Sequence, residues 1–297
     1  MNISVVLSTC RLGGFDVTFS GLENQTFKGD WELIIVDEWY ELRRHMMSRL
    51  ERIPSFKHLP PKVKKPYRAI SNGFNTGLIH AEGELVCFLN DYVWVPPDWL
   101  ETHWKIWKNT GYSHSGYIDR YSRPPLRRYR TLEEICFTAF ERPFIPETFG
   151  ELKLTYEERK GGKPALGSPI TESLEEGFLY EIDGRLFYQG LNESIPLDIV
   201  VRLNGLDERF DGQTANQDAD LGIRANMLGH RFAIDPTLIT REIEHQGIPC
   251  HTDRTLKPNE EGYRFLLEKE KRMKAGLEPL EAPNIFCLAD ERRKIGL

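Results

Sequence analysis

An α/β fold with an open, mostly parallel sheet is what this chain of 297 residues predicts. Three observations carry the prediction. Short apolar runs rich in β-branched residues recur through the first ninety residues, a helix-spaced segment separates the first two, and acids close the second and follow the third. Ile3-Ser-Val-Val-Leu-Ser-Thr9 is apolar on both alternating faces, as a strand covered on both sides must be. After a loop containing Gly13-Gly14, Phe15, Phe19 and Leu22 recur at helical spacing. Trp31-Glu-Leu-Ile-Ile-Val-Asp37 is the second strand. Strand, helix, strand within about forty residues is the rhythm of a right-handed crossover unit.

The stretch from Glu41 to Pro66 is polar and basic, and prolines 54, 60, 61 and 66 interrupt it. Ser71 to His80 reads as a loop entering a helix, and Glu84-Leu-Val-Cys-Phe-Leu89 as a third strand that runs into Asn90-Asp91-Tyr92. Pro96-Pro97-Asp98 opens a helix, since proline fits the first turn, where its missing N–H costs nothing. Asp37 and Asp91 therefore stand at strand C-termini, the edge where open α/β sheets bind ligands. From about 111 to 190 the rhythm breaks. That region is rich in Tyr, Arg, Pro and Gly, which predicts a loop-dominated insertion of the kind that often carries function. Order returns at Leu197 to Leu203, the turn Asn204-Gly205, and Asp218 to Gly229. In the last of these Leu221, Ala225 and Leu228 share a helical face and Gly229 is the stop. Asn259 to Ala275 reads as a charged helix packed on the outside.

Charge and composition narrow the function. With 45 acids against 39 Lys+Arg and a net charge of −6, the chain lacks the basic excess of a general nucleic-acid coat. No run approaches the ~18 apolar residues of a membrane span. Met1 and Asn2 lead straight into an apolar strand without a basic n-region, so no secretory signal is predicted. Cys10, Cys87, Cys136, Cys250 and Cys287 are scattered and never form a C-x-x-C pair. They support neither a zinc ribbon nor a disulfide scaffold, and predict a reducing, cytoplasmic setting.

Several segments, in order, resemble family-2 glycosyltransferases of the GT-A fold. They are Ser4-Val-Val-Leu-Ser-Thr-Cys-Arg11, Asn24-Gln-Thr26, Glu32-Leu-Ile-Ile-Val-Asp37, Asn75-Thr-Gly77, His80 through Asp91, and Pro96-Pro-Asp-Trp-Leu100. Asn204-Gly-Leu-Asp-Glu-Arg-Phe210, Gln217-Asp-Ala-Asp-Leu221 with Arg224, and Gly229-His-Arg-Phe232 continue the match. The resemblance implies a GT-A domain over 1–250, with a donor-binding half at about 1–110, an acceptor-side insertion at 111–190 and a catalytic-base half at 191–250. A helical tail follows over 251–297.

It also implies roles. Sugar transfer needs a counter-charge for the departing nucleotide diphosphate and a base for the acceptor hydroxyl. Asp218 takes the base position, preceded by Gln217 where the family carries Glu, and Asp220 reads as structural. Asp91 takes the metal position for Mn²⁺ or Mg²⁺, although Tyr92 replaces an expected acid and a phenol is a poor ligand for a hard cation. Asp37 would contact the base or ribose and Thr9 would sit beside the nucleobase. Asn75 stands where an Arg-Asn pair is usual, with Phe74 in place of the arginine. Arg11 or Arg68 is left to supply that cation. Asn90 belongs to the altered acidic motif, and His245 falls near the diphosphate, where an imidazole either coordinates metal or donates to a phosphate oxygen.

A UDP-sugar is the expected donor. The acceptor stays open among a glycan, a lipid-linked sugar, a protein hydroxyl and a modified nucleic-acid base. Arg and Tyr interleave from Arg120 to Arg130, and Lys62 to Arg68 is also basic. Either segment reads as a solvated loop or as a surface for a phosphorylated acceptor. Leu100, Trp104 and Trp107 share helical spacing and read as a packing face. Inverting transfer is the first reading. A non-catalytic nucleotide-sugar or carbohydrate-binding protein of the same fold is the alternative, since fold alone does not establish activity. A sugar nucleotidyltransferase is the second, although Cys10-Arg-Leu-Gly-Gly14 only grazes its longer Gly-rich loop.

Overall fold

The structure, a computed structural model, describes residues 1–45, 53–121, 179–187, 192–212, 216–243 and 259–297. Its chain order opens with β1 (Ile3–Thr9), α1 (Phe15–Leu22), β2 (Trp31–Asp37), a short α2 (Tyr40–Arg43) and β3 (Phe56–Leu59). Then come α3 (Ile70–His80), β4 (Leu85–Asn90), β5 (Val93–Trp94), α4 (Trp99–Thr110) and β6 (Ser113–Tyr121). The remainder is β7 (Tyr180–Ile182), β8 (Glu193–Pro196), α5 (Leu197–Arg202), α6 (Gln217–Met227), β9 (Phe232–Ile243), α7 (Asn259–Lys274) and α8 (Leu288–Lys294).

The strands form one sheet in the order β3-β2-β1-β4-β8-β6-β9-β5, with β7 also pairing β9. β1 to β4 run parallel, and β6 and β9 share their direction, whereas β5, β7 and β8 oppose them. The mostly parallel sheet is thus present, with antiparallel strands confined to its second half. Two of its strands, β6 and β7, arise in the span read as loop-dominated, and β3 arises in the Pro-broken stretch. Such short strands take their order from neighbouring ladders, which a single segment does not reveal.

Strand alternation builds a core on each face. Ile3, Val5, Leu7, Leu33, Ile35, Leu85, Cys87 and Leu89 pack with Phe15, Phe19, Trp99 and Leu100 from α1 and α4, and Trp104 and Trp107 lie against that core as a packing face. Val6, Ile34, Val86 and Phe88 pack on the other side with Phe74 and Leu78 of α3 and Leu221 of α6. The tail helices close the second layer. α7 buries Leu266 and Met273 with Phe210 and Ile223, and Arg292 of α8 donates to the carbonyls of Leu78 and Ala81. Lys269 of α7 is buried between Asp207 at 2.6 Å and Asp220 at 2.5 Å, and Arg224 holds Asp220 at 2.7 Å. Asp220 is accordingly structural.

Candidate active site

Parallel register places Thr9 beside Asp37 and Ser8 beside Asn90, so β1, β2 and β4 deliver their polar ends to one edge. A cavity of about 330 Å³ opens there, lined by Asp37, Glu38, Trp39, Tyr40, Pro60 and Lys65 among others. A smaller notch adjoins it, walled by Ser8, Cys10, Arg11, Glu38, Arg68 and Asn90. Glu38 and Ala69 belong to both walls, so the two hollows make one cleft. This is the ligand-binding edge expected of the fold.

Asp37 is fully buried and heavily bonded. Arg43 donates to both of its oxygens, at 2.8 and 2.5 Å, and the Trp39 amide adds a third bond at 2.8 Å. His58 Nε2 lies 3.0 Å away. Burial acts to raise this carboxyl, but Arg43 and His58 outweigh it and hold it below the ordinary carboxylate value. Asp37 therefore shapes the cleft by anchoring α2, and Trp39 and Tyr40 line the cavity beside it.

Asp91 is also buried. Thr9 donates its hydroxyl to Oδ2 at 2.7 Å and Arg11 Nη1 donates to Oδ1 at 3.1 Å, so three of the predicted residues meet at one carboxylate. Tyr92 turns away from them. It adopts φ 63°, is buried, and donates its hydroxyl to the Leu12 carbonyl at 2.5 Å. Its ring fills the space over Gly14, where an added Cβ would lie 2.6 Å from the ring at φ +80°. Asn90 keeps a partly exposed place on the notch wall.

Asn75 ties α3 to the second half of the domain. Its amide donates to the Leu206 carbonyl at 2.9 Å and to Glu208 at 3.2 Å, and its oxygen accepts from Leu206 N at 2.8 Å. Gly205, at φ +75°, allows that approach, because a Cβ there would sit 2.3 Å from Asn75 Oδ1.

Asp218 differs in kind. It lies in the first turn of α6, half-buried, and lines a small pocket with Phe74, Phe88, Phe187, Leu206 and Leu221, with Glu193 as a second acid. Asp37, Asp91, Asp207, Asp211 and Asp220 each face a Lys or Arg, whereas Asp218 has no cationic partner among the described residues. Burial pushes its carboxyl from the ordinary 3.8 up to about 6, against a lowering hydrogen bond from the Ala219 amide at 2.9 Å. Phe88 and Asn90 alternate onto the same face of β4, so this pocket and the notch share one side of the sheet.

The chain matches the model described as glycosyl transferase family 2 over residues 15–160. That span includes Asp37, Asn75, Asn90 and Asp91. The described fold is the GT-A fold of glycosyltransferases, and this span resembles their family 2. Among solved structures it is similar to S. aureus TarS 1-349 in complex with UDP-GlcNAc, at 11% identity and TM-score 0.56, covering 98% of this chain and 69% of that one. It is similar to the same protein in complex with UDP, at 12% identity and TM-score 0.51, covering 82% and 61%. GalNAc-T7 with UDP, GalNAc and Mn²⁺ is similar at 13% identity and TM-score 0.57, covering 99% and 54%. The chain thus spans between about half and two thirds of these structures. No curated protein sequence matches it.

The resemblance to family 2 implies a divalent cation, which the described residues do not fit. A hard cation needs several oxygen ligands with free lone pairs. Here one Asp91 oxygen faces Thr9, the other faces a guanidinium, and Tyr92 is turned inward. No cluster of three His, Cys, Asp or Glu side chains converges among the described residues. The described residues therefore do not form the cation's ligand set. His245 lies outside the described residues, as does the Arg-Tyr run beyond Tyr121. No helix among the described residues is long and apolar enough to cross a membrane.

Two cations of the basic segment from Lys62 to Arg68 are engaged within the fold, while Lys64 is exposed. Lys62 pairs with Glu291, and Lys65 reaches Glu208 at 2.9 Å and Asp211 at 2.8 Å. Arg43, Trp39 and Tyr40 went unnoticed as cleft residues in the sequence. They lie in a stretch with no period of its own, and only the buried acid at the end of β2 hints that a cation must fold back onto it.

Proposed function

We propose that the enzyme transfers a sugar from a UDP-sugar to an acceptor hydroxyl, with the nucleotide in the cleft at the ends of β1, β2 and β4 and Asp218 as general base. The observation that carries this reading is the Asp218 carboxyl itself, poised near 6 in a partly apolar pocket and without a cation beside it. A base that must be ionised at neutral pH yet accept a proton readily works best at such a value. In the reaction the acceptor oxygen attacks the anomeric carbon while its proton passes to an Asp218 oxygen. The bond from that carbon to the diphosphate oxygen breaks, and UDP leaves with the electron pair. A single in-line displacement of this kind inverts the anomeric centre. The first turn of α6 suits the task, because backbone N–H groups there favour the anionic form between turnovers.

The UDP and UDP-GlcNAc bound in TarS and the UDP in GalNAc-T7 support uridine as the donor base. GalNAc-T7 holds Mn²⁺ with its UDP, but the described residues of this chain do not form a ligand set for it, and no step above is routed through a cation. The test is turnover of UDP-sugars, scored as UDP release with and without acceptor hydroxyls. Release that survives in Asp218→Asn at the wild-type rate refutes the base assignment. UDP binding without any release from any UDP-sugar favours the non-catalytic reading instead.

A further inference from the structure

The notch wall carries a guanidinium with a buried N–H that no described residue meets. Arg68 is half-buried on the notch wall, and its Nε is a buried donor without a hydrogen-bond partner among the described residues. Leaving such a group unpaired is costly, so buried donors of this kind generally have a partner to meet. Of the neighbouring cations, Lys62 and Lys65 are paired with acids and Lys64 is exposed, whereas the Arg68 Nε is buried. Its backbone is held in place, since its carbonyl accepts from Gly212 N at 2.7 Å just before α3 begins. Arg11 stands on the same wall, with its guanidinium already against Asp91 at the position a cation would take.

We infer that Arg68, together with Arg11, binds the donor's diphosphate, and that nucleotide binding needs no divalent cation. The inference rests on the reading of this cleft as the donor site. A guanidinium presents its N–H groups as a planar fork that matches two phosphate oxygens, and the two arginines of the notch outnumber its one wall acid among the described residues, Glu38, with Asp91 paired to Arg11. The notch adjoins the 330 Å³ cavity that Trp39 and Tyr40 line, so a base there has its phosphates beside Arg68. Phe74, at the position where the family carries arginine, is buried against Phe88 and contributes no charge. Arg68 supplies that charge from before the start of α3, ahead of Phe74 in the chain.

The experiment titrates UDP and uridine into the full chain and into Arg68→Gln and Arg68→Lys, each in EDTA and in Mn²⁺. Wild type is expected to bind UDP in EDTA within about twofold of its affinity in Mn²⁺. Arg68→Gln should weaken UDP by about 10- to 100-fold, the range of one or two charge-assisted bonds, while uridine stays within about twofold. Arg68→Lys should fall between, because an ammonium keeps the charge and loses the fork. Thermal unfolding without ligand reports whether each variant is folded, and Arg68→Lys carries the test if Arg68→Gln is not. A need for Mn²⁺ in UDP binding overturns the inference, as does an equal loss for UDP and uridine. If wild type binds neither compound, the donor-site reading falls first and this inference with it.

Discussion

Replacing Asp218 by asparagine should make the protein more stable and far less active. The carboxyl sits at about 6 against an ordinary 3.8, because its pocket is walled by Phe74, Phe88, Phe187, Leu206 and Leu221 and no cation faces it among the described residues. At about 1.36 kcal/mol for each pH unit between those values, holding the charge at neutral pH costs about 3 kcal/mol at most. Asp218 keeps part of its surface in solvent, which reduces the cost to about 1–2 kcal/mol. Asparagine has the same shape, can still accept from the Ala219 amide, and carries no charge. The sign follows from linkage. A carboxyl raised in the folded state is protonated more readily folded than unfolded, so its penalty grows as pH rises from about 4 to 6 and is constant above. Urea denaturation at pH 7.5 should therefore show Asp218→Asn more stable by about 1–2 kcal/mol, with the gain vanishing by about pH 4. UDP release should drop by about 10²–10⁴-fold, the usual contribution of a positioned base. A destabilised variant at pH 7.5, or one with unchanged turnover, would refute the assignment.

The same carboxyl should make kcat/KM for the donor fall below about pH 6 as Asp218 takes up a proton, and this acidic limb should be absent from the residual activity of Asp218→Asn. Arg43→Met leaves Asp37 buried without its guanidinium and should cost about 3–5 kcal/mol in chemical denaturation. Asp37 is held below its ordinary value, so its share of stability is present above about pH 4 and lost as pH falls through its folded value; that acid-labile share should shrink in Arg43→Met. Asp220→Ala removes the carboxylate that Arg224 and Lys269 share, leaving Lys269 to Asp207 and Arg224 to backbone carbonyls, and should destabilise by about 3 kcal/mol, which thermal unfolding will register as a drop in Tm.

Much of the donor half was legible because its signals are local. β1, β2 and β4, the helix after Pro97 and the turn at Asn204-Gly205 follow from alternation, proline placement and left-handed backbone, each of which depends on a few adjacent residues. The convergence of Thr9, Arg11 and Asp91 follows nearly as directly, since parallel strands of matched length bring their ends together. β3 and the sheet partners of β6 were not legible. β3 takes its order from β2 across the Pro-broken stretch, and β6 from β9, which lies far along the chain beyond any local window.

What the sequence determined by itself is the α/β order of elements, the acids at strand ends and the acid at the start of α6, because chain chemistry within one turn or one strand sets them. Which acids are neutralised was decided by the tertiary structure alone. Asp37 meets Arg43, Asp91 meets Arg11 and Asp220 meets Lys269 from the far tail, while Asp218 faces aromatic rings and Arg68 keeps an unpaired Nε. Charge pairing is a property of distance and burial, and both are created only when segments remote in the chain pack together.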